Sequence, residues 1–79
     1  MIKEKISKII EEITGDTQID YDLSLISGGV LDSFSILILV SKIESEFDVK
    51  IEIKQTSFND LDSINKISEY IKNKSFKNK

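Results

Sequence analysis

Residues 29–35 read GVLDSFS and run straight into ILILV at 36–40, the most apolar stretch of the 79-residue chain. Gly28-Gly29 breaks any regular element before them, and Asp32 has the side chain of a helix N-cap, an oxygen that accepts from free N–H groups of the first turn. The spacing predicts a helix over 33–47. Advancing about 100° per residue gathers Ile36, Leu39, Val40, Ile43 and Phe47 on one face, which makes a core stripe. The opposite side receives Phe34, Leu37, Ile38, Ser41 and Ser45, with Lys42, Glu44 and Glu46 on the flanks. A surface helix is normally polar away from its core. Its first two turns therefore either meet more of this small protein or face a partner.

Outward from that helix the chain reads as more of the same class. Ile2, Ile6, Ile9, Ile10 and Ile13 recur at helical spacing and predict a helix over 3–14, ended by Thr14-Gly15-Asp16. Residues 15–31 lack that periodicity. They read as a long loop strapped across helix ends, anchored by Leu23, Leu25 and Ile26, and a loop of that length is often functional. The segment DVKIEIK at 48–54 alternates like a strand but has no second strand to pair with. It reads as an extended connection inserting Val49, Ile51 and Ile53. A short helix over 56–61 contributes Phe58 and Leu61, and Asp62 or Ser63 caps a last helix carrying Ile64, Ile67 and Ile71 on one face. Lys-rich residues 72–79 suit a helix C-terminus and then fray. The expected fold is all-α: one domain over 1–79, a small antiparallel bundle of three main helices and one short one, with a long loop between helices one and two.

Composition narrows the chemistry. There is no His, Cys, Trp or Arg, so the usual general bases, thiol nucleophiles and transition-metal ligands are missing, and no metal site is expected. A chain this short offers little concavity in which to tune carboxylates, which argues against an enzyme acting alone. Residues 16–62 carry ten acids and three Lys, a net of −7, while the two ends carry four acids and eight Lys, a net of +4. The acidic middle argues against nucleic acid and towards basic protein partners reached with electrostatic steering. No run approaches the roughly 20 apolar residues of a bilayer span, and the N-terminus lacks the apolar core of a secretion signal, so the expected compartment is the cytoplasm.

A serine at a helix start ordinarily caps it or is merely tolerated there. The case for chemistry at Ser33 is positional. A helix N-terminus presents free N–H groups and the positive end of a dipole, which favours a phosphate ester. Ser33 follows the Gly-Gly loop and adjoins the apolar outer side of the helix, so a separate enzyme can esterify its hydroxyl with no base supplied by this chain. Asp32 is a natural contributor to a divalent cation in such a modifying complex. No triad surrounds Ser33, which excludes a serine hydrolase.

At these residues the chain resembles a known family. GVLDSFSILILVSKIESEFDVKI is similar to the phosphopantetheine attachment region of acyl carrier proteins, in which Asp-Ser opens the second helix and Phe-Asp closes it. The resemblance runs from the first helix to DSINKISEYI in the last. It implies that Ser33 carries 4′-phosphopantetheine, attached from coenzyme A by a phosphopantetheinyl transferase, and that the prosthetic thiol holds an acyl or aminoacyl group as a thioester. It implies a non-catalytic monomer that shuttles this cargo from a loading ligase or synthase to a downstream acyltransferase. Phe34, Leu37, Ile38 and Ser41 match the partner-facing positions. Two departures set it apart from fatty-acid carriers: Val30-Leu31 stand between Gly29 and Asp-Ser where those have one residue, and the outer face is poor in acids. The spacing G-x-x-D-S-F and the later D-S-I-N-K-I look more like D-alanyl carrier proteins and other stand-alone specialised carriers. D-alanyl carriers take D-alanine from a ligase and deliver it towards teichoic acid. The Trp usual before their last helix is absent here, with Leu61 near its place. From a different class, the same residues fit a non-covalent helical interaction module in which Phe34, Leu37 and Ile38 form the interface and Ser33 only starts the helix.

Overall fold

The computed structural model describes the backbone of residues 2–52 and 58–77 and the side chains of residues 2–52 and 58–74. It contains three α-helices, α1 (Ile2–Thr14), α2 (Ser33–Phe47) and α3 (Ile64–Lys77), and a short 3-10 helix at Phe58–Leu61. No strand occurs among the described residues. The radius of gyration, 11.5 Å, is that of a compact chain of this length. This is the expected all-α bundle.

Local chemistry sets each helix end. At the end of α1, Gly15 takes the left-handed region with φ 81° and donates its N–H to the Glu11 carbonyl at 2.8 Å. Asp48 does the same service for α2 without a glycine, at φ 53° and ψ 47°, conditions an aspartate tolerates better than most residues. Beyond it, the Ile51 N–H donates to the Glu44 carboxylate at 2.8 Å. That bond turns the connection inward, and Val49 and Ile51 become buried as expected. Ile53, Thr56 and Ser57 of the expected connection and short helix lie outside the described residues.

α1 packs against both other long helices. Its Lys5 reaches Glu46 at 3.5 Å while its Glu12 reaches Lys42 at 3.9 Å, so α1 and α2 run antiparallel. The start of α3 is tied to the 15–32 loop, where Asn65 donates its N–H to the Tyr21 carbonyl and Leu25 its N–H to the Asp62 carbonyl. Consequently α2 and α3 both begin at the end where the 15–32 loop lies. The core joins Ile6, Ile9 and Ile10 of α1, the full α2 stripe, and Ile64, Ile67 and Ile71 of α3, with Phe47 half-buried at its edge.

Two loop and connection residues differ from expectation. Leu23 is 40% exposed and Phe58 52% exposed, so neither is an anchor; Ile19, Leu31 and Leu61 are the buried ones in their neighbourhoods. Both misplaced residues flank short hydrogen-bonded turns whose backbone direction, and not side-chain polarity, decides which residue points in. The backbone of α3 remains helical to Lys77, past the Lys-rich onset at residue 72 where fraying is expected. No helix among the described residues is long and apolar enough to cross a membrane.

Ile43 is fully buried at the centre of the α2 stripe. Ile43→Ala should cost about 2–5 kcal/mol by removing core volume, a large share of the stability a small domain has. Urea unfolding followed by circular dichroism measures it; a loss under about 1 kcal/mol means the stripe is not the packed face.

Candidate functional site

The start of α2 is built as its sequence implies. Asp32 lies in extended conformation, at φ −92° and ψ 179°, and its Oδ1 accepts from the Ser35 N–H at 2.8 Å. The Asp32 carbonyl accepts the first helical bond, from the Ile36 N–H at 2.9 Å. Ser33 is therefore the first helical residue, and it is exposed. Among the described residues its hydroxyl makes no hydrogen bond within the chain. A phosphate ester on this oxygen fits: there is room in solvent and a helix N-terminus beside it.

The outer side of α2 is open. Phe34 is 72% exposed and Leu37 55% exposed, and Ser41 and Ser45 are exposed beside them. Neither the loop nor α3 covers the first two. Ile38 differs, being half-buried, so it borders this apolar surface more than it projects from it.

The loop is tied to the start of α3 at two places. Asn65 donates its backbone N–H to the Tyr21 carbonyl at 3.1 Å and its side-chain amide to Asp22, whose own N–H is turned onto the Asp20 carboxylate. Asp62 holds the next segment. Its Oδ1 accepts from the Ile26 N–H at 2.7 Å and the Ser27 N–H at 2.9 Å, its Oδ2 from the Ser27 hydroxyl at 2.7 Å, and its carbonyl from the Leu25 N–H at 2.6 Å. The cap of α3 is thus Ser63, whose hydroxyl accepts from the Lys66 N–H at 3.1 Å. Sequence reasoning left Asp62 and Ser63 as rival caps and missed what the surplus one does. Two capping residues in a row were the available signal, since one helix start uses only one.

A closed turn connects this clasp to Ser33. Gly29 donates to the Ile26 carbonyl at 3.1 Å and adopts φ 79°, while Leu31 donates to the Leu25 carbonyl at 2.8 Å. Gly28 passes so close to the chain that a Cβ there would lie 2.2 Å from the Ser24 carbonyl oxygen. Leu25, fully buried, touches both helix starts: its N–H reaches Asp62 and its C=O receives Leu31, two residues before Ser33.

Two carboxylates here are held below the ordinary aspartate value of 3.8: Asp32 chiefly by the Ser35 N–H and hydroxyl, Asp62 by the Ser27 N–H and hydroxyl and then the Ile26 N–H. A lowered folded value means each stabilises the fold fully above 3.8 and loses that contribution as pH falls through the lowered value. The thermal midpoint should therefore fall on acidification from about pH 5 to about pH 2, and fall less in Asp62→Asn, which no longer titrates there. Melting curves across that range check it; an unchanged acid dependence in the variant contradicts the clasp.

Comparison with known proteins agrees with this geometry. Residues 4–71 match the model of the family described as "Phosphopantetheine attachment site". The chain is 32% identical over 79 residues to a D-alanyl carrier protein of Lactococcus lactis subsp. cremoris (strain MG1363), covering 98% of this chain and 100% of that one. It is 34% identical over 71 residues to a D-alanyl carrier protein of Streptococcus mutans serotype c, covering 89% and 90%. A D-alanyl carrier protein of Streptococcus sanguinis is 33% identical over 69 residues, covering 86% and 87%.

Proposed function

We propose, from the premise that this chain belongs to the phosphopantetheine attachment family, that Ser33 is the residue that holds the group. The chain is a carrier protein, and its prosthetic group is 4′-phosphopantetheine. Proteins of this family are generally non-catalytic, and a carrier role implies partner enzymes such as ligases and transferases. The observation that carries the assignment is the exposed Ser33 at the first position of α2, with an uncommitted hydroxyl, between its Asp32 cap and an apolar outer face.

In the attachment reaction Ser33 supplies the oxygen. Its hydroxyl proton leaves to a base on a separate phosphopantetheinyl transferase and its Oγ bonds to phosphorus. The bond between the two phosphates of coenzyme A breaks, and the nucleotide half departs. Asp32, kept ionised by its helix-capping bonds, is the neighbouring carboxylate for a divalent cation in that complex. The free N–H groups of the first turn stabilise the anionic diester. Once attached, the group supplies the thiol on which cargo travels as a thioester. This chain has no catalytic task of its own, and it works as a monomer in the cytoplasm, where coenzyme A and adenylating ligases operate.

The loading ligase and the downstream acyltransferase dock on the α2 face formed by Phe34, Leu37, Ile38 and Ser41. An apolar surface of this size, steered by the acidic middle of the chain, suits fast, weak encounters, which a shuttle needs in order to leave each enzyme. The cargo we assign is D-alanine, destined for teichoic acid. Support comes from the names of the relatives and from the core itself: Ile36, Leu39, Val40 and Ile64 are each 5% exposed or less, so a polar aminoacyl cargo stays in solvent.

Intact mass after incubation with coenzyme A and a broad-specificity transferase should rise by one phosphopantetheine group in wild type and not in Ser33→Ala. No gain in the folded wild type removes the carrier assignment from this chain's serine, and a gain in Ser33→Ala moves the site elsewhere. With ATP, D-alanine and a D-alanine-activating ligase, the holo form should gain one alanyl group. Leu37→Glu should keep the melting curve and lose roughly tenfold or more in loading rate, by placing a charge at the centre of the docking face. A Leu37→Glu protein loaded at the wild-type rate excludes that face.

A further inference from the structure

The clasp made by Asp62 is larger than anything the cap of α3 requires. One residue receives four hydrogen bonds from Leu25, Ile26 and Ser27, across 35 to 37 positions of sequence. The burden of folding rests elsewhere in that region: Leu25, Leu61 and Ile64 are at most 1% exposed, while the Ser27 bonds to Asp62 lie at the surface. What the carboxylate alone controls is the direction of the chain after Leu25. Immediately beyond its reach stand Gly28, with no space for a side chain, and the bond from Leu31 to Leu25 that delivers the chain to Asp32. Only Gly28, Gly29 and Val30 separate the clasped 26–27 backbone from Leu31, and Gly28 has no room for a Cβ.

We propose that Asp62 is a positioning residue for the attachment reaction: by fixing Ile26 and Ser27 it sets the approach and orientation of Ser33 that the transferase meets. This inference rests on Ser33 being the attachment site. The transferase must bring the Ser33 oxygen into line with a phosphorus centre, and displacement of about 1 Å in such an arrangement can cost about a hundredfold in rate. Asp62 never touches the reacting atoms, and the docking face on α2 does not include it.

The test measures the rate of holo formation by intact mass, with coenzyme A and a phosphopantetheinyl transferase, alongside thermal melting. Asp62→Ala removes the three carboxylate bonds and leaves the main-chain bond to Leu25. Its kcat/KM should fall roughly tenfold or more, carried by kcat, with the helices intact. Asp62→Asn keeps an oxygen for the Ile26 and Ser27 N–H groups and should restore most of the rate. Ile43→Val, a core change that lowers the melting point without touching the loop, should keep the rate within about twofold. That contrast separates positioning from general stability.

Asp62→Ala within about twofold of wild type overturns the proposal, as does an equal loss in Ile43→Val. If Asp62→Ala does not fold, Ser27→Ala, which removes one bond, decides: a loss of about threefold supports positioning, and a wild-type rate overturns it. Failure of the Ser33 assignment looks different, because it is read on wild type and Ser33→Ala and leaves the Asp62 comparison without a reaction to follow.

Discussion

The contact on which the rest of this small structure depends is the one between Asp62 and residues 25–27. α2 and α3 start at the same end of the bundle, and neither helix packs broadly on the other; α1 makes the extensive helix contacts. Something must set the spacing of the two starts, and the Leu25 backbone does so, with Asp62 on one side and Leu31 on the other. The clasp also satisfies polar backbone groups in a loop that would otherwise leave them part-buried and unpaired, a costly condition. With its hydrogen bonds closed, a long irregular segment behaves as a structural element.

On that frame the site is simple. The chain has no histidine, cysteine or arginine, and the start of α2 needs none of them. A cap, an exposed hydroxyl and a turn of apolar surface follow one another at Asp32, Ser33 and Phe34. The family's chemistry is brought by a group that arrives from outside, so the protein's own residues act by presenting one oxygen and by being recognised. Helix geometry accomplishes both, because the same backbone that exposes Ser33 rotates Phe34 and Leu37 to the side opposite the core stripe.

The helices were legible because their information is local. Isoleucine spacing marks α1 and α3, and the Asp32 cap with the Ile36, Leu39, Val40, Ile43 stripe places α2 at Ser33–Phe47. The loop was legible only in part. Leu25 was identified, but Leu23 and Leu25 are equally apolar, and only the turn made by the Leu23 N–H on the Asp20 carbonyl sends one out and the other in. Asp62 could be seen as a polar residue before a helix, which describes a cap equally well. Its true partners lie far away in sequence, and no periodicity reports them. Ile38 shows the same limit at a smaller scale: a helical wheel places it outside, while the neighbouring chain half covers it.

The separation of the clasp has a consequence in time. Ile26 and Ser27 find their acceptor 36 and 35 residues further along, beyond the whole of α2. While the chain is being made, α1 and α2 are complete before Asp62 has emerged, and contacts of such long separation form late because loop closure must come first. The turn that precedes Ser33 therefore acquires its clasp only once Asp62 is present. A copy that stops before Asp62 displays the serine without the clasp that shapes the turn before it.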